Sequence, residues 1–594
     1  MAATNSKILT AMLLAAVIGF TAKPAEAGIA PDLQEMIVGG SAAGPGQGRA
    51  AAGSPAAQKN RMVRVIARFN RQRVNGRFLA GRLGARFRGA LNSINGVAME
   101  LPLSTVTKLA SDRQVSWVSL DRDLITHWDN DVETIGADEV WERKNYRGLG
   151  IGVAVLDTGI HPDSADWKPF GGASSRIIGW KDCVNGRTTP YDDHGHGTHV
   201  SGIIAGSGNL SSSAAKRGVF MGVAPEVSLI GVKVLSAGGG GQTSNVITGI
   251  DWCIANRATY NIRVMNLSLG YLPRESYKTD PLCAAVRRAV QSGIVVICSS
   301  GNLGKYGGVI RYGTVNCPGN DPSVLTVGAV NTKNTTTRSD DEVCTFSSRG
   351  PTYIDKLAKP DVVAPGNKII SLRSPNSTVD LSYSSNRLDP TSYGKTASSS
   401  AYFTLSGTSM AAPQVAGVAA LMIQANPGLT PNIVKGVMMF TAQKMKLKNA
   451  AGEPLSAGLS LLNQGAGSVN ALGAVELAEK LDTTKAVGQS WLIGTITPSS
   501  TFNGETLAWS GQVVYGNQVL WGDSILAVRQ VLWGDSVLWG DSVLWGDSVL
   551  WGDNSIAGDS VLWGDSVLWG DSVLWGDMAP LAVLFSETAA FGDP

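Results

Sequence analysis

Three short stretches carry the residue types needed for nucleophilic acyl chemistry. Asp157 stands in Val155-Leu156-Asp157-Thr158-Gly159, after an apolar run and before a glycine that permits a sharp turn. His196 stands in His194-Gly195-His196-Gly197-Thr198-His199-Val200, and Ser409 in Gly407-Thr408-Ser409-Met410-Ala411-Ala412-Pro413. A hydroxyl is a weak nucleophile until an imidazole takes its proton, and the imidazole does so best when a carboxylate orients it and stabilises its cation. Aspartate, histidine and serine together supply that set.

Each block also has a plainer reading. Asp157 alone could be structural, and Asn302, which stands in a further stretch Ser299-Ser300-Gly301-Asn302, could alone be a turn residue tolerating a left-handed backbone. His194, His196 and His199 form an H-x-H-x-x-H pattern that could hold zinc. Glycines at 195 and 197 suit a tight turn into a helix better than a rigid metal cage, so His194 and His199 read as support for His196.

The elements that must position these residues follow from the hydrophobic pattern. Nearly continuous apolar runs at 152–156, 227–234, 263–267, 294–298 and 324–330 alternate with helix-length segments at 199–206, 244–260, 282–291, 409–424 and 431–441. Strands apolar on both faces and separated by helices indicate an α/β fold, a mainly parallel sheet covered on both sides. Asp157 then falls at the C-terminal edge of the sheet, where open α/β folds place their sites. His196 enters one helix and Ser409 opens another, with Pro413 expected in its first turn. Residues 374–400, rich in Ser, Thr, Asn and Tyr, read as a surface loop.

Upstream, 62–124 reads as a small α+β unit, with strands at 62–69, 97–101 and 115–120 and helices at 87–93 and 104–111. Downstream, from Leu507, twelve hexads follow, eight of them Val-Leu-Trp-Gly-Asp plus a variable residue, with nine tryptophans from Trp509 to Trp575. A short fixed period indicates stacked or meandering β units. Stacked tryptophans as a core are the plain reading of this tail, and a stripe for polysaccharide or a cell envelope the sharper one. The organisation is a signal peptide (1–27), a linker (28–61), the α+β unit (62–127), the main domain (128–482), a second linker (483–506), the repeat (507–578) and a C-terminal tail (579–594).

The quoted blocks resemble, in order and spacing, the three signatures of the subtilisin-like serine proteases. The resemblance covers about 131–481 and implies secreted peptide-bond hydrolysis on extended polypeptide substrates, with no cofactor or metal needed for the chemical step. It makes Asp157, His196 and Ser409 the triad. Ser299-Ser300-Gly301-Asn302 is similar to the family's oxyanion segment, which gives Asn302 that role beside the backbone N–H of Ser409. Ser268-Leu269-Gly270 would pair with the substrate backbone and, with Ser299, Ser300 and Gly301, wall the primary specificity pocket. The α+β unit resembles, more weakly, the family's inhibitory propeptides, which makes the chain's own propeptide a partner and sets the mature start at about 125–130. Structural calcium is common in the family; no ligand pattern transfers, and Asp163 is the one weak candidate.

Composition limits the alternatives. With a net charge of +3, nothing calls for a nucleic-acid or membrane partner. The charge is uneven: ten Lys or Arg and no acid between Lys59 and Arg88, against eleven acids and only Arg529 from Val519 to Pro594. Lys7, the apolar run 8–20 and Ala25-Glu26-Ala27 form a signal-peptide pattern too short to span a bilayer, which points to an extracellular protein. Six cysteines, all between 183 and 344, admit disulfides in such a protein or buried thiols beside the strands. The rival from another class is a proteolytically silent surface protein that works through its tryptophan repeat.

Overall fold

The computed structural model describes residues 28–38, 61–70, 74–121, 123–126, 132–169, 171–211, 220–393, 395, 399–449, 452–485, 491–515 and 518–521. The leader read at 1–27, the tail at 579–594 and all but the first hexads of the repeat lie outside them.

The main domain is built on an eight-stranded sheet. Its order is Glu342–Val343, Leu325–Asn331, Val295–Ser299, Ile262–Leu267, Gly152–Asp157, Ser228–Lys233 and Ile177–Asp182, with Val362–Pro365 also pairing to Leu325–Asn331. All pairings are parallel except that of the short Glu342–Val343 strand. Successive residues serve opposite cores. Val153, Val155, Val295 and Ile297 face the layer holding His196–Ala205, Thr408–Ala425, Pro431–Thr441 and Ala471–Glu479. Ala154, Leu156, Val296 and Cys298 face Thr243–Ala255 and Pro281–Gln291. Burial on both faces is why these strands read as continuous apolar runs.

The α+β unit is a five-stranded sheet in the order Gly28–Ile29, Val115–Leu120, Met62–Phe69, Gly96–Pro102 and Arg86–Leu91. Two expectations fail here. Arg86–Leu91 is a strand where a helix was expected at 87–93: Arg86 and Arg88 are exposed while Phe87 is half-buried, a period of two, and Gly89 disfavours a helix. The helix lies earlier, at Gly76–Arg82, where the Asn75 side chain accepts from the Phe78 N–H at 3.0 Å. Part of the stretch read as linker is also structured, since Gly28–Ile29 pairs with Val115–Leu120 and the Pro31–Val38 helix buries Leu33 completely.

This unit docks on the main domain. Ile66, Leu91, Ile94 and Ala98 share a core with residues of the Thr243–Ala255 and Pro281–Gln291 helices. Around that seam Asp121 accepts from the Ser244 N–H at 2.6 Å, capping a helix, and Ser119 Oγ donates to Glu275 at 2.7 Å. The Ser93 N–H donates to Asp251 at 2.8 Å.

Two further stretches hold more order than their composition suggests. Within 483–506, read as a linker, Ser499–Phe502 pairs with Glu505–Ala508, and Phe502, Leu507, Trp509 and Val513 are buried in the main core. The first hexad of the tail therefore belongs to the body of the main domain. Residues 374–400, read as a loop, contain the Thr378–Ser382 helix, and the flanking strands Ile369–Leu372 and Tyr402–Leu405 pair with each other. Buried Asp380 holds this flap by accepting from Arg373 at 2.5 and 2.7 Å and from Arg387 at 2.7 Å. Among the described residues no helix is long and apolar enough to cross a membrane.

Candidate active site

The C-terminal edge of the sheet gathers the three blocks. Gly152–Asp157, Ile262–Leu267 and Val295–Ser299 are adjacent parallel strands, so Asp157, Ser268 and Ser299–Asn302 emerge on one edge. His196 opens the His196–Ala205 helix, and its Nδ1 lies 2.6 Å from Asp157 Oδ1 with both side chains fully buried. Gly197 permits this approach, because a Cβ there would come within 2.2 Å of the Gly159 carbonyl and 3.1 Å of the Asp157 Cβ.

The turn before His196 is organised by Asp192, which sequence reasoning missed. Its carboxylate accepts from the Gly195 and Thr198 N–H groups at 2.8 Å each, from Thr198 Oγ1 at 2.6 Å and from Thr158 Oγ1 at 2.9 Å. Burial alone would raise the pKa of Asp192, but these donors outweigh it and hold the carboxyl below its usual range. The flap braces the same turn: the Val379 N–H donates to the His194 carbonyl at 3.0 Å and Ser374 Oγ to the Asp192 carbonyl at 2.8 Å.

The zinc pattern does not converge, since His196 faces Asp157 while His199 Nε2 lies 3.0 Å from the Phe403 carbonyl. Burial, aided by the neighbouring His196, pushes the pKa of His194 down to about 4. Burial pushes that of His199 down to about 3.

Ser409 is the second residue of the Thr408–Ala425 helix and is completely buried. Pro413 lies one turn further in than expected, inside the helix. Its missing N–H is the one that would have bonded the Ser409 carbonyl. That carbonyl instead accepts from Ser268 Oγ at 2.6 Å, while Ser409 Oγ donates to the Ser268 carbonyl at 3.0 Å. The reciprocal pair ties the Ser409 block to the Ser268-Leu269-Gly270 segment.

Asn302 faces the same helix start. Its Oδ1 accepts from the Thr408 N–H and from Thr408 Oγ1, both at 3.0 Å, and its Nδ2 is buried with no partner. A buried donor left without an acceptor is costly, so Asn302 Nδ2 is a donor with capacity to spare. Thr408 Oγ1 also accepts from the Gly301 N–H at 3.1 Å. It stood inside a quoted motif, yet only the tertiary contact shows its task. Ser299 and Ser300 are buried at the end of their strand, and Asn316 lies against both Gly270 and Gly301.

A family model described as Peptidase_S8, subtilase family, matches residues 148–467. The chain belongs to the subtilase family. Membership makes it a hydrolase, a subtilisin-like serine protease. Serine protease AprX of Bacillus subtilis (strain 168) is 41% identical over 371 residues, covering 61% of this subtilase and 77% of AprX. Subtilisin DY of Bacillus licheniformis is 34% identical over 314 residues, covering 53% of this chain and 91% of the relative. Among solved structures, fervidolysin from Fervidobacterium pennivorans superposes with a TM-score of 0.52 at 20% identity, over 70% of this subtilase and 61% of that chain, a likeness of fold.

Two expectations about ligands and thiols meet the geometry here. Asp163 is exposed, and the described residues bring three acidic, thiol or imidazole ligands together at Asp280, Cys283 and Cys317. Thiols are soft donors that do not suit calcium, a cation of oxygen ligands. No disulfide is formed among the described residues; the Cys283 and Cys317 sulfurs lie 3.6 Å apart, and burial pushes the Cys283 thiol well up.

Proposed function

We propose that the protein is a secreted serine endopeptidase that cuts extended polypeptides and matures by processing its own N-terminal unit. Ser409 attacks the scissile carbonyl, His196 takes its proton and then delivers it to the leaving amine, and Asp157 holds the imidazole and stabilises its cation. Asn302 Nδ2 and the Ser409 N–H receive the oxyanion. Ser268, Leu269 and Gly270 on one side and Ser299, Ser300 and Gly301 on the other bound the substrate.

The observation that carries this reading is the 2.6 Å Asp157–His196 contact, buried at the same sheet edge as Ser409. The docked α+β unit fits an inhibitory propeptide, since its last strand runs into that edge. The leader pattern at 1–27 supports secretion. For the tail beyond residue 521 we propose attachment to a cell envelope or polysaccharide.

The test is to express the full chain beside Ser409→Ala and follow both by intact mass and by hydrolysis of a denatured protein. The expected result is that the parent shortens and digests substrate while Ser409→Ala does neither. A Ser409→Ala chain that still shortens or digests would overturn the reading.

A further inference from the structure

The start of the Pro281–Gln291 helix and the turn that follows Asn316 bring sulfur and oxygen donors to one buried point. Asp280 and Cys283 form a D-x-x-C pair at the helix start, and Cys317 and Asn320 form a C-x-x-N pair in the turn. The two sulfurs lie 3.6 Å apart. Cys317 Sγ is 3.3 Å from Asp280 Oδ1, and Cys283 Sγ is 3.4 Å from Asn320 Oδ1. The ligand atoms of Asp280, Cys283 and Cys317 all lie within 4.8 Å of one another, and each of the four residues is at most 1% exposed.

These separations are the edges of a small tetrahedron. With sulfur at about 2.3 Å and oxygen at about 2.0–2.2 Å from zinc, tetrahedral geometry sets sulfur to sulfur at about 3.8 Å and sulfur to oxygen at about 3.5–3.6 Å. The observed edges match to within about 0.3 Å. A disulfide needs its sulfurs at about 2.0 Å, so this pair would have to close by about 1.6 Å. Closing it would also remove the S–H protons that Asp280 Oδ1 and Asn320 Oδ1 accept, whereas a cation gives both oxygens a partner.

The surroundings hold the donors in place. Asp280 Oδ1 also accepts from the Leu282 N–H at 2.9 Å and the Cys283 N–H at 3.1 Å, and its Oδ2 accepts from the Tyr271 hydroxyl at 2.6 Å. The Asn320 N–H donates to the Asn316 carbonyl at 2.9 Å. Hydrogen bonds of this kind orient metal ligands, and a closed set with two sulfurs suits zinc better than calcium or magnesium.

We propose that Cys283, Cys317, Asp280 and Asn320 form a structural zinc site. Two Zn–S bonds form as the two thiol protons leave to solvent, and the Asp280 carboxylate and the Asn320 amide oxygen complete four-fold coordination. None of the four belongs to the proposed triad, and the site stands whether or not the triad does. Its influence reaches the cleft through Cys317. The Cys317 N–H donates to the Tyr271 carbonyl at 2.8 Å and the Tyr271 N–H to the Cys317 carbonyl at 3.1 Å, one residue beyond Gly270. Neighbouring Asn316 lies against Gly270 and Gly301. Zinc thereby pins the wall proposed for the substrate to the Pro281–Gln291 helix.

The test uses the full chain carrying Ser409→Ala, to suppress self-digestion, purified under reducing conditions with Zn²⁺ supplied. Zinc is counted by elemental analysis, Co²⁺ is exchanged for it and the absorption spectrum recorded, and melting is followed with and without a chelator. The expected result is one zinc per chain, a thiolate-to-cobalt charge-transfer band, and a Tm that falls on chelation and returns when Zn²⁺ is restored. Replacing both Cys283 and Cys317 with Ala should abolish binding and band, while Cys183→Ser keeps both.

Asp280→Asn keeps a good helix cap and removes a charged ligand, so it is expected to fold and to bind Zn²⁺ at least about 10-fold more weakly. A folded, reduced parent that takes up no zinc and shows no such band overturns the site. So does a parent two hydrogens lighter with Cys283 joined to Cys317, or a folded Asp280→Asn chain that holds zinc as tightly as the parent. Zinc retained without both thiols, or lost in Cys183→Ser, places the metal elsewhere and overturns it as well.

Discussion

Asn302 turns its amide oxygen, not its amide nitrogen, toward Thr408, so that Nδ2 is left buried and without a partner. Two hydrogen bonds to Oδ1 fix the rotation of the amide, and in the proposed reaction the unused Nδ2 donor would meet the charge that develops on the oxyanion.

Replacing Asn302 with Leu is expected to cut kcat by about 10²–10³-fold with little change in KM, the size associated with loss of such a donor in subtilisin itself. Thr408→Val should cost less but in the same sense, because it removes one of the two bonds that orient the amide. Steady-state kinetics on a chromogenic peptide check both; a KM effect without a kcat effect would contradict the role.

Asn316 should govern the acyl-side pocket. It is 4% exposed, its Oδ1 has no partner, and a Cβ at Gly301 would come within 2.7 Å of its Cγ and Nδ2. An unpaired buried acceptor costs roughly 1–3 kcal/mol, so a substrate side chain carrying an N–H donor gains by meeting it. Asn316→Leu is expected to lower kcat/KM for peptides with His before the cut, relative to Phe, by at least about 10-fold. Paired peptide substrates measure this ratio, and an unchanged ratio would remove Asn316 from the pocket.

The five long central strands and the helices carrying His196 and Ser409 were legible because burial on both faces leaves uninterrupted apolar runs. The Ile177–Asp182 strand was not, since it lies at the sheet edge, half-exposed, with Gly179, Trp180 and Lys181 breaking the run. Arg86–Leu91 was misread because short apolar segments fit both periods, and pairing with Gly96–Pro102 decides between them. The triad candidates could be named from local motifs, whereas Asp192, Thr408 and Asn316 act through contacts between segments far apart in the chain.

Acid should weaken the fold in two windows. The pKa values of His194 and His199 are pushed from 6.5 to about 4 and about 3, chiefly by burial, so the unfolded chain binds protons that the folded chain does not. Their stability contribution is full above pH 6.5 and is lost as pH falls toward those values, at about 1.4 kcal/mol per pH unit for each histidine. Asp192, Asp361 and Asp380, all held below the ordinary 3.8, add their loss only at lower pH. Denaturant unfolding of the Ser409→Ala chain between pH 7 and pH 4.5 should show the histidine slope, reduced by about 1.4 kcal/mol per pH unit in a His199→Gln version. An unchanged slope would contradict the assignment.

Asp380→Asn should loosen the flap. Removing one partner from a buried ion pair costs about 3–5 kcal/mol, and two arginines share this carboxylate. The flap braces the turn that carries His196, so activity is expected to fall along with thermal stability. A variant with wild-type melting and wild-type kcat would show that the clamp is dispensable.

The body should extend to the start of the repeat. A chain ending after Trp521 is expected to keep the melting temperature of the full chain, while Trp509→Ala loses about 3–5 kcal/mol through its place beside Phe440 in the core. Equal stability of Trp509→Ala and the parent would return the segment to the tail.

The most direct measurement is to treat the active protein with a fluorophosphonate, which esterifies a serine only when a base activates it, and to map the adduct by peptide mass. The expected result is a single adduct on Ser409 that forms in step with loss of proteolysis and fails to form in His196→Ala. Proteolysis that survives complete labelling of Ser409, or an adduct that forms equally well without His196, would contradict the triad.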